Sequence, residues 1–286
     1  VFEAVFEQLN SVGRVFESVD PVDGKVVVVT GGAGGLGLQT ARQFGALGAR
    51  VAIIDVAPDA LETAGRSLDE AGVTNLLVPC DIRDEKACKA AIDTIVGTFG
   101  DIDVLVNNAG ITHRSLLANT EAEVLRRVVE VNLFGAMFCT QAALPSLKRT
   151  RGRVVAVSSV AGFAPLMGRT AYAASKHAMQ GFFSSLRTEV AGDGIGVLVV
   201  SPGFINTAMD RRASGGGDGE LGTKRRSVGR QLRPEEAAEQ IVDAVLRRRR
   251  TLLITPVAVA SLALWRLFPR LYEKLMIRSQ APEFAV

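Results

Sequence analysis

The chain is poor in the residues that build metal sites and disulfide frameworks. It holds only 3 Cys and 2 His in 286 residues. Cys80, Cys88 and Cys139 are odd in number and lack metal-ligand spacing. They read as ordinary thiols of a reducing compartment, not as a disulfide set. His113 and His177 have no second histidine at ligand spacing, so no metal is expected. No polar low-complexity tract argues for disorder, and no repeat has a solenoid period. The apolar stretch Pro256–Met276 is interrupted by Arg266, Pro269, Arg270 and Lys274. Its uncharged part falls short of the roughly 20 residues that span a bilayer. The opening Val1-Phe2-Glu3 carries an acid where a secretory signal would carry a basic run, so no signal peptide is expected there. Net charge is only +3, and no nucleic-acid partner is expected. The charge is uneven, however. Residues 205–286 hold 15 Lys and Arg against 9 Asp and Glu, a surplus that suits either a solvated face or an anionic surface partner.

Apolar residues are plentiful, at 48%. Short β-branched runs at Lys25–Thr30, Arg50–Asp55, Leu76–Pro79, Asp103–Asn107, Arg153–Ser158 and Gly196–Ser201 predict strands buried on both faces. Helical patterns at Gly35–Leu47, Pro58–Ala71, Asp84–Phe99, Glu121–Lys148 and Ala171–Ala191 alternate with them. That alternation predicts an α/β Rossmann-like, doubly wound parallel sheet in a single catalytic domain over 21–255. Residues 1–20 add an N-terminal helical extension, with apolar positions at 2, 5, 6, 9, 12 and 16. The glycine-rich run at 213–219 breaks the pattern, so 205–231 reads as a mobile lid or a plain surface loop. A helix over Arg233–Arg250, a last strand at Thr251–Thr255 and an apolar, basic tail over 256–286 complete the chain. Pro269 should break or restart the tail helix.

The first strand runs into Thr30-Gly31-Gly32-Ala33-Gly34-Gly35-Leu36-Gly37. Gly32, Gly34 and Gly37 fit GxGxxG; Thr30, Gly31, Gly35 and Gly37 fit TGxxxGxG. In either register, glycines let a backbone approach a pyrophosphate at a helix N-terminus, where free N–H groups and the dipole favour the anion. Asp55 ends the second strand. A carboxylate there accepts hydrogen bonds from ribose hydroxyls and repels a 2′-phosphate, and no Lys or Arg sits in the glycine turn. This favours NAD over NADP; the competing role for Asp55 is capping the next helix. Further on, Tyr172 and Lys176 lie one helical turn apart, on one face. With Ser159 and Asn132 they supply a phenol, an ammonium, a hydroxyl and an amide, a set able to move a proton to or from an alcohol. An ammonium beside a phenol lowers its pKa from about 10, which makes Tyr172 a usable acid and base.

The ordered set TGxxxGxG, Asn107-Asn108-Ala109-Gly110, Asn132, Ser159, Tyr172-x-x-x-Lys176 and Pro202-Gly203 resembles the short-chain dehydrogenase/reductase family over about residues 25–207. The resemblance implies hydride transfer between nicotinamide and a carbinol carbon, with Tyr172 as acid and base. Ser159 would hold the substrate oxygen; Asn132 would hold a water linking Lys176 to solvent. It implies cofactor contacts from Gly31, Gly35, Leu36 and Gly37, and from Asp55, Asp81 and Ile82, with Asp81 at the adenine amino group. Asn108, Ala109 and Gly110 would run along the ribose. Pro202 and Gly203 would also contact the cofactor, with the Ile205 backbone and the Thr207 hydroxyl holding the carboxamide. It also implies a homodimer or homotetramer joined through the helices at Glu121–Lys148 and Ala171–Ala191.

The end of the chain departs from many family members, which have an Asp-Gly-Gly turn near the substrate. It looks more like members acting on steroids, retinoids or other lipids. Phe163, Leu166, Met167, Phe204, Met209 and the tail offer apolar walls, so a lipophilic secondary alcohol or ketone is expected. Arg169 and Arg211 are the alternative, as anchors for a small acid. In the tail Arg266, Arg270, Lys274 and Arg278 recur every four residues beside Leu264, Trp265, Leu267, Phe268, Leu271, Tyr272, Leu275 and Met276. Residues 256–278 therefore suit an interfacial membrane helix or a helix packed on its own core or another subunit. The expected location is cytoplasmic, free or at a membrane surface. The competing functions are an NADPH-dependent ketoreductase, a non-catalytic nucleotide-binding protein and a membrane-associated interaction protein. A non-catalytic relative would show loss of tetrad residues, and all four are present.

Overall fold

The computed structural model describes residues 20–206, 213–217 and 231–284. Most of the N-terminal extension lies outside them, as do Thr207, Met209, Arg211 and much of the 205–231 segment. Seven strands form one parallel sheet: β1 Val26–Thr30, β2 Arg50–Asp55, β3 Asn75–Pro79, β4 Val104–Asn107, β5 Arg153–Val157, β6 Gly196–Pro202 and β7 Thr251–Ile254, in the order β3-β2-β1-β4-β5-β6-β7. Successive valines in β1 serve opposite faces. Val27 and Val29 enter one core cluster and Val26 and Val28 the other. Burial on both sides is why the strand reads as a continuous apolar run. Helices α1 (Gly35–Ala46), α2 (Pro58–Asp69) and α7 (Pro234–Leu246) cover the first face; α3 (Glu85–Phe99), α5 (Gly135–Thr150) and α6 (Thr170–Glu189) cover the second. The strand order reverses between β1 and β4, so a crevice opens at their C-terminal ends.

The single helix expected over Glu121–Lys148 is interrupted. Helix α4 (Ala122–Val129) passes through a π-helical turn at Glu130–Phe134 before α5 begins. Such a wide turn costs regular hydrogen bonding and recurs at functional positions; here it carries the fully buried Asn132. The α4–α5 stretch is apolar and long enough to cross a membrane by composition. Its buried residues, including Ala136, Cys139, Ala143 and Leu147, belong to the core beneath the sheet. The three cysteines are buried and unbridged.

The tail forms two helices, α8 (Pro256–Leu267) and α9 (Pro269–Gln280), with Phe268 between them. Pro269 ends the first because it has no N–H to give, and starts the second, where none is needed. Thr255 launches α8 at φ 101, a conformation costly for a β-branched residue. Its hydroxyl accepts from Ala258 N at 3.1 Å, which helps hold the turn.

Candidate active site

Glycine at two positions of the β1–α1 turn is dictated by space and torsion. Gly31 has φ 62, and a Cβ there would come within 2.8 Å of Ala109 Cα. A Cβ on Gly37 would overlap the Gly31 carbonyl and the Asn108 amide. Helix α1 starts after Gly34 with no side-chain cap, so its first N–H groups are left for a ligand. Asp55 braces the turn from β2. Its carboxylate accepts from Ala33 N at 3.1 Å, Val56 N at 2.8 Å and Ala57 N at 3.3 Å. These bonds order the chain just before α2, whose own N-cap, Ala57, has no side-chain cap, and Asp55 also lines the cavity.

Asn108 works differently from its neighbours. Its amide donates to the Thr30 and Gly31 carbonyls, both at 3.1 Å. The Thr30 hydroxyl in turn accepts from Asn108 N and Ala109 N. The side chain is spent holding the glycine turn against β4. Asp81 also has a partner that spacing did not reveal. The Arg83 guanidinium grips its carboxylate at 2.6–3.0 Å, and those bonds hold the Asp81 carboxyl below its ordinary range.

Tyr172 and Lys176 stand on the first turns of α6, across the mouth of β5. Lys176 is 3% exposed. Its ammonium donates to the Val157 carbonyl at 2.8 Å and reaches Met179 Sδ at 3.4 Å. It lies 5.9 Å from the Tyr172 ring centroid. Burial lowers its pKa from 10.5 to about 8, because a charge loses hydration there. Asn132 Oδ1 accepts from Ile111 N at 2.8 Å; its Nδ2 donates to Ile111 O and to Ser175 Oγ, both at 3.0 Å. Ser175 Oγ then donates to Tyr172 O at 2.8 Å. This serine, buried inside the Tyr-x-x-x-Lys turn, was not singled out from the sequence. Its only advance signal was a polar residue between two candidate catalytic ones.

Both serines after β5 line the cavity, with different partners. Ser158 Oγ donates to Lys176 O at 3.1 Å and packs against α6. Ser159 Oγ accepts from Ala161 N at 3.1 Å and lines the cavity. His177 Nδ1 sits 2.9 Å from Ala173 O, an ordinary helical contact. Among the described residues no cluster of His, Cys, Asp and Glu could hold a metal.

One continuous cavity of about 1120 Å³ runs from Asp55 past Gly35, Leu36, Asp81, Ile82 and Asn108–Gly110 to Ser159, Tyr172, Lys176, Pro202, Gly203 and Ile205. It ends against the tail, at Val257, Leu264, Leu275 and Met276. Of the expected apolar walls, Leu166 and Phe204 line it. Phe163 turns away to pack on Tyr272, and Met167 engages the tail through its backbone. Arg169 lines the cavity, but its guanidinium is tied to Glu283 at 3.4 Å and to Met167 O at 3.2 Å. The 205–231 segment is clipped at its base. Asn206 N donates to Leu232 O, and Leu232 N to Phe204 O, both at 3.0 Å. Ser214 and Gly216 accept from Arg114 N and Glu121 N on the loop after β4.

The glycine cradle, uncapped α1 and strand-end Asp55 fit a dinucleotide, and the Tyr172–Lys176 pair lies in the same cavity. A phosphate cradle sharing one cavity with a proton-transfer group marks the class of dinucleotide-dependent oxidoreductases. The chain belongs to the short-chain dehydrogenase/reductase family: the family model for short chain dehydrogenase matches residues 25–216. It is 38% identical over 259 residues to the rat (Rattus norvegicus) dehydrogenase/reductase SDR family member 7B, covering 88% of this chain and 80% of that one. It is 36% identical over 263 residues to an SDR family protein 7-like of Anopheles gambiae, covering 89% and 83%. Among solved structures, an alcohol dehydrogenase from the archaeon Thermococcus sibiricus, complexed with 5-hydroxy-NADP, superposes with a TM-score of 0.71 at 26% identity. The match covers 82% of this chain and 97% of that one.

Proposed function

We propose that this oxidoreductase is NAD(H)-dependent and interconverts a lipophilic secondary alcohol and its ketone. The carrying observation is the single cavity that joins Asp55, the Tyr172–Lys176 pair and an apolar wall from α8 and α9. Gly31, Gly35, Leu36 and Gly37 would hold the pyrophosphate, Asp55 the ribose hydroxyls, and Ile205 with Thr207 the carboxamide. The bound dinucleotide supplies or accepts the hydride. Tyr172 takes the alcohol proton in oxidation and returns it in reduction. Lys176 favours the phenolate by its charge. Ser159 aligns the substrate oxygen, and Asn132 keeps the buried end of the relay oriented.

A second reading, NADP(H) dependence, is favoured by the NADP analogue in the Thermococcus enzyme. Against it stands the Asp55 carboxylate, which would face a 2′-phosphate with like charge. Fluorescence titration with NADH and NADPH separates the two. Tighter NADPH binding by the wild type would refute the NAD assignment. In a panel of secondary alcohols and ketones, Tyr172→Phe should lose turnover and keep dinucleotide affinity. Undiminished turnover in that variant would sink the acid–base role.

A further inference from the structure

The tail presents two different surfaces. Its inward side is fixed to the domain. Tyr272 packs on Phe163 and Ala164, Gln280 Oε1 accepts from Met167 N at 2.9 Å, and Glu283 meets Arg169 in a buried ion pair. The outward side is left apolar. Leu267, Phe268, Leu271 and Leu275 are 70%, 59%, 48% and 47% exposed. Nine large hydrophobic residues are exposed among the described residues, and five of them fall between 267 and 277. Single exposed leucines need no explanation, but a cluster at one elbow does.

Two further observations say what covers it. First, exposed Arg266, Arg270, Lys274 and Arg278 stand beside the cluster, against one exposed acid on α9, Glu273. Long basic side chains flanking a Leu/Phe edge suit an anionic lipid surface, where the stems stay in the apolar layer and the charges reach the headgroups. A second copy is a poor occupant. A two-fold contact would bring the same patch against itself and set this basic stripe against its own like charges. Second, Leu275 both lines the cavity and lies in the exposed cluster, so the patch rims the cavity mouth.

We propose that the α8–α9 elbow docks on an anionic lipid bilayer, with the cavity mouth facing the membrane. The proposal goes beyond the redox reading and does not depend on which dinucleotide binds. The inward contacts hold the elbow in place beforehand, so docking needs little ordering of the chain.

Flotation of the full chain with phosphatidylcholine vesicles, with and without phosphatidylglycerol, tests it. The wild type should float with the anionic vesicles and be released by high salt. Each basic residue near such a surface is worth about fivefold in partitioning. The pair Arg270→Glu and Lys274→Glu should therefore cut binding by at least about 25-fold. The pair Phe268→Ser and Leu271→Ser should cut it by at least about tenfold. Both pairs alter exposed groups outside the cavity, so turnover on a soluble ketone should be unchanged. No flotation by the wild type would overturn the proposal, as would flotation undiminished in both variants. So would a wild-type oligomer that the Phe268/Leu271 variant splits without any change in flotation. That result would assign the patch to a contact between copies.

Discussion

Lys176 is expected to destabilise the fold it serves. The residue is 3% exposed, and its pKa falls from 10.5 to about 8 through burial. The difference corresponds to about 3 kcal/mol of penalty in the folded state when the lysine is charged in both states. Lys176→Met removes the charge and keeps the length. It also removes the donor to the Val157 carbonyl, a loss of about 1 kcal/mol. In the absence of dinucleotide the variant should therefore be more stable at pH 7 by about 2 kcal/mol, or roughly 4–8 °C in melting temperature. The pH dependence follows from the same two pKa values. Below about 8 both folded and unfolded chains carry the proton, and the wild type bears the whole penalty. Between about 8 and 10.5 the folded state has released the proton while the unfolded chain still holds it. The unfolded state then binds more protons, so wild-type stability gains on the variant as pH rises. Above 10.5 the penalty is gone. Urea unfolding of both proteins at pH 7, 8.5 and 9.5 measures this; turnover should be lost in the variant throughout. A variant less stable than the wild type at pH 7, with a gap that does not change up to pH 9.5, would refute the reasoning.

Three other substitutions probe the supports of the site. Asn132→Ala strands the Ile111 N–H and C=O and removes the donor to Ser175 Oγ, which keeps its own bond to Tyr172 O; it should cost about 2–4 kcal/mol in urea unfolding and lower kcat. Gly37→Ala drives a methyl into the Gly31 carbonyl and the Asn108 amide. It should cost about 1–3 kcal/mol and weaken NADH binding at least about tenfold by fluorescence titration, since the cradle must shift. Glu283→Ala removes the Glu283 carboxylate from the buried Arg169 guanidinium. A loss of about 3 kcal/mol is expected by thermal unfolding, with a raised KM because the wall beside Leu166 loosens.

What the sequence shows of this site depends on which atoms act. The roles proposed for Gly31, Gly37, Asp55, Tyr172 and Lys176 run through side chains, or through a side chain's absence, at spacings set by one strand end or one helical turn. Their pattern is therefore local and survives in one dimension. The strands were legible for the same reason: burial on both faces leaves an unbroken β-branched run. The Val157 carbonyl that receives Lys176, and the Ile111 peptide that receives Asn132, act through the backbone, whose chemistry does not depend on residue type. No reading of residue identities selects them. The π turn at Glu130–Phe134 shares this difficulty, since its residues also suit an ordinary helix. The tail was ambiguous for a different reason. A helix with Tyr272 and Met276 on one side and Arg270, Lys274 and Arg278 on the other fits a protein core or a lipid interface equally, because both solvents reward the same segregation. Contact with Phe163 and Ala164, more than a hundred residues away in the chain, assigns Tyr272 inward. That assignment leaves Leu267, Phe268 and Leu271 without a protein surface to cover them in the described chain. Docking the tail on its own core therefore does not exclude the lipid reading: the inner contacts hold the elbow in the orientation that turns its apolar edge outward.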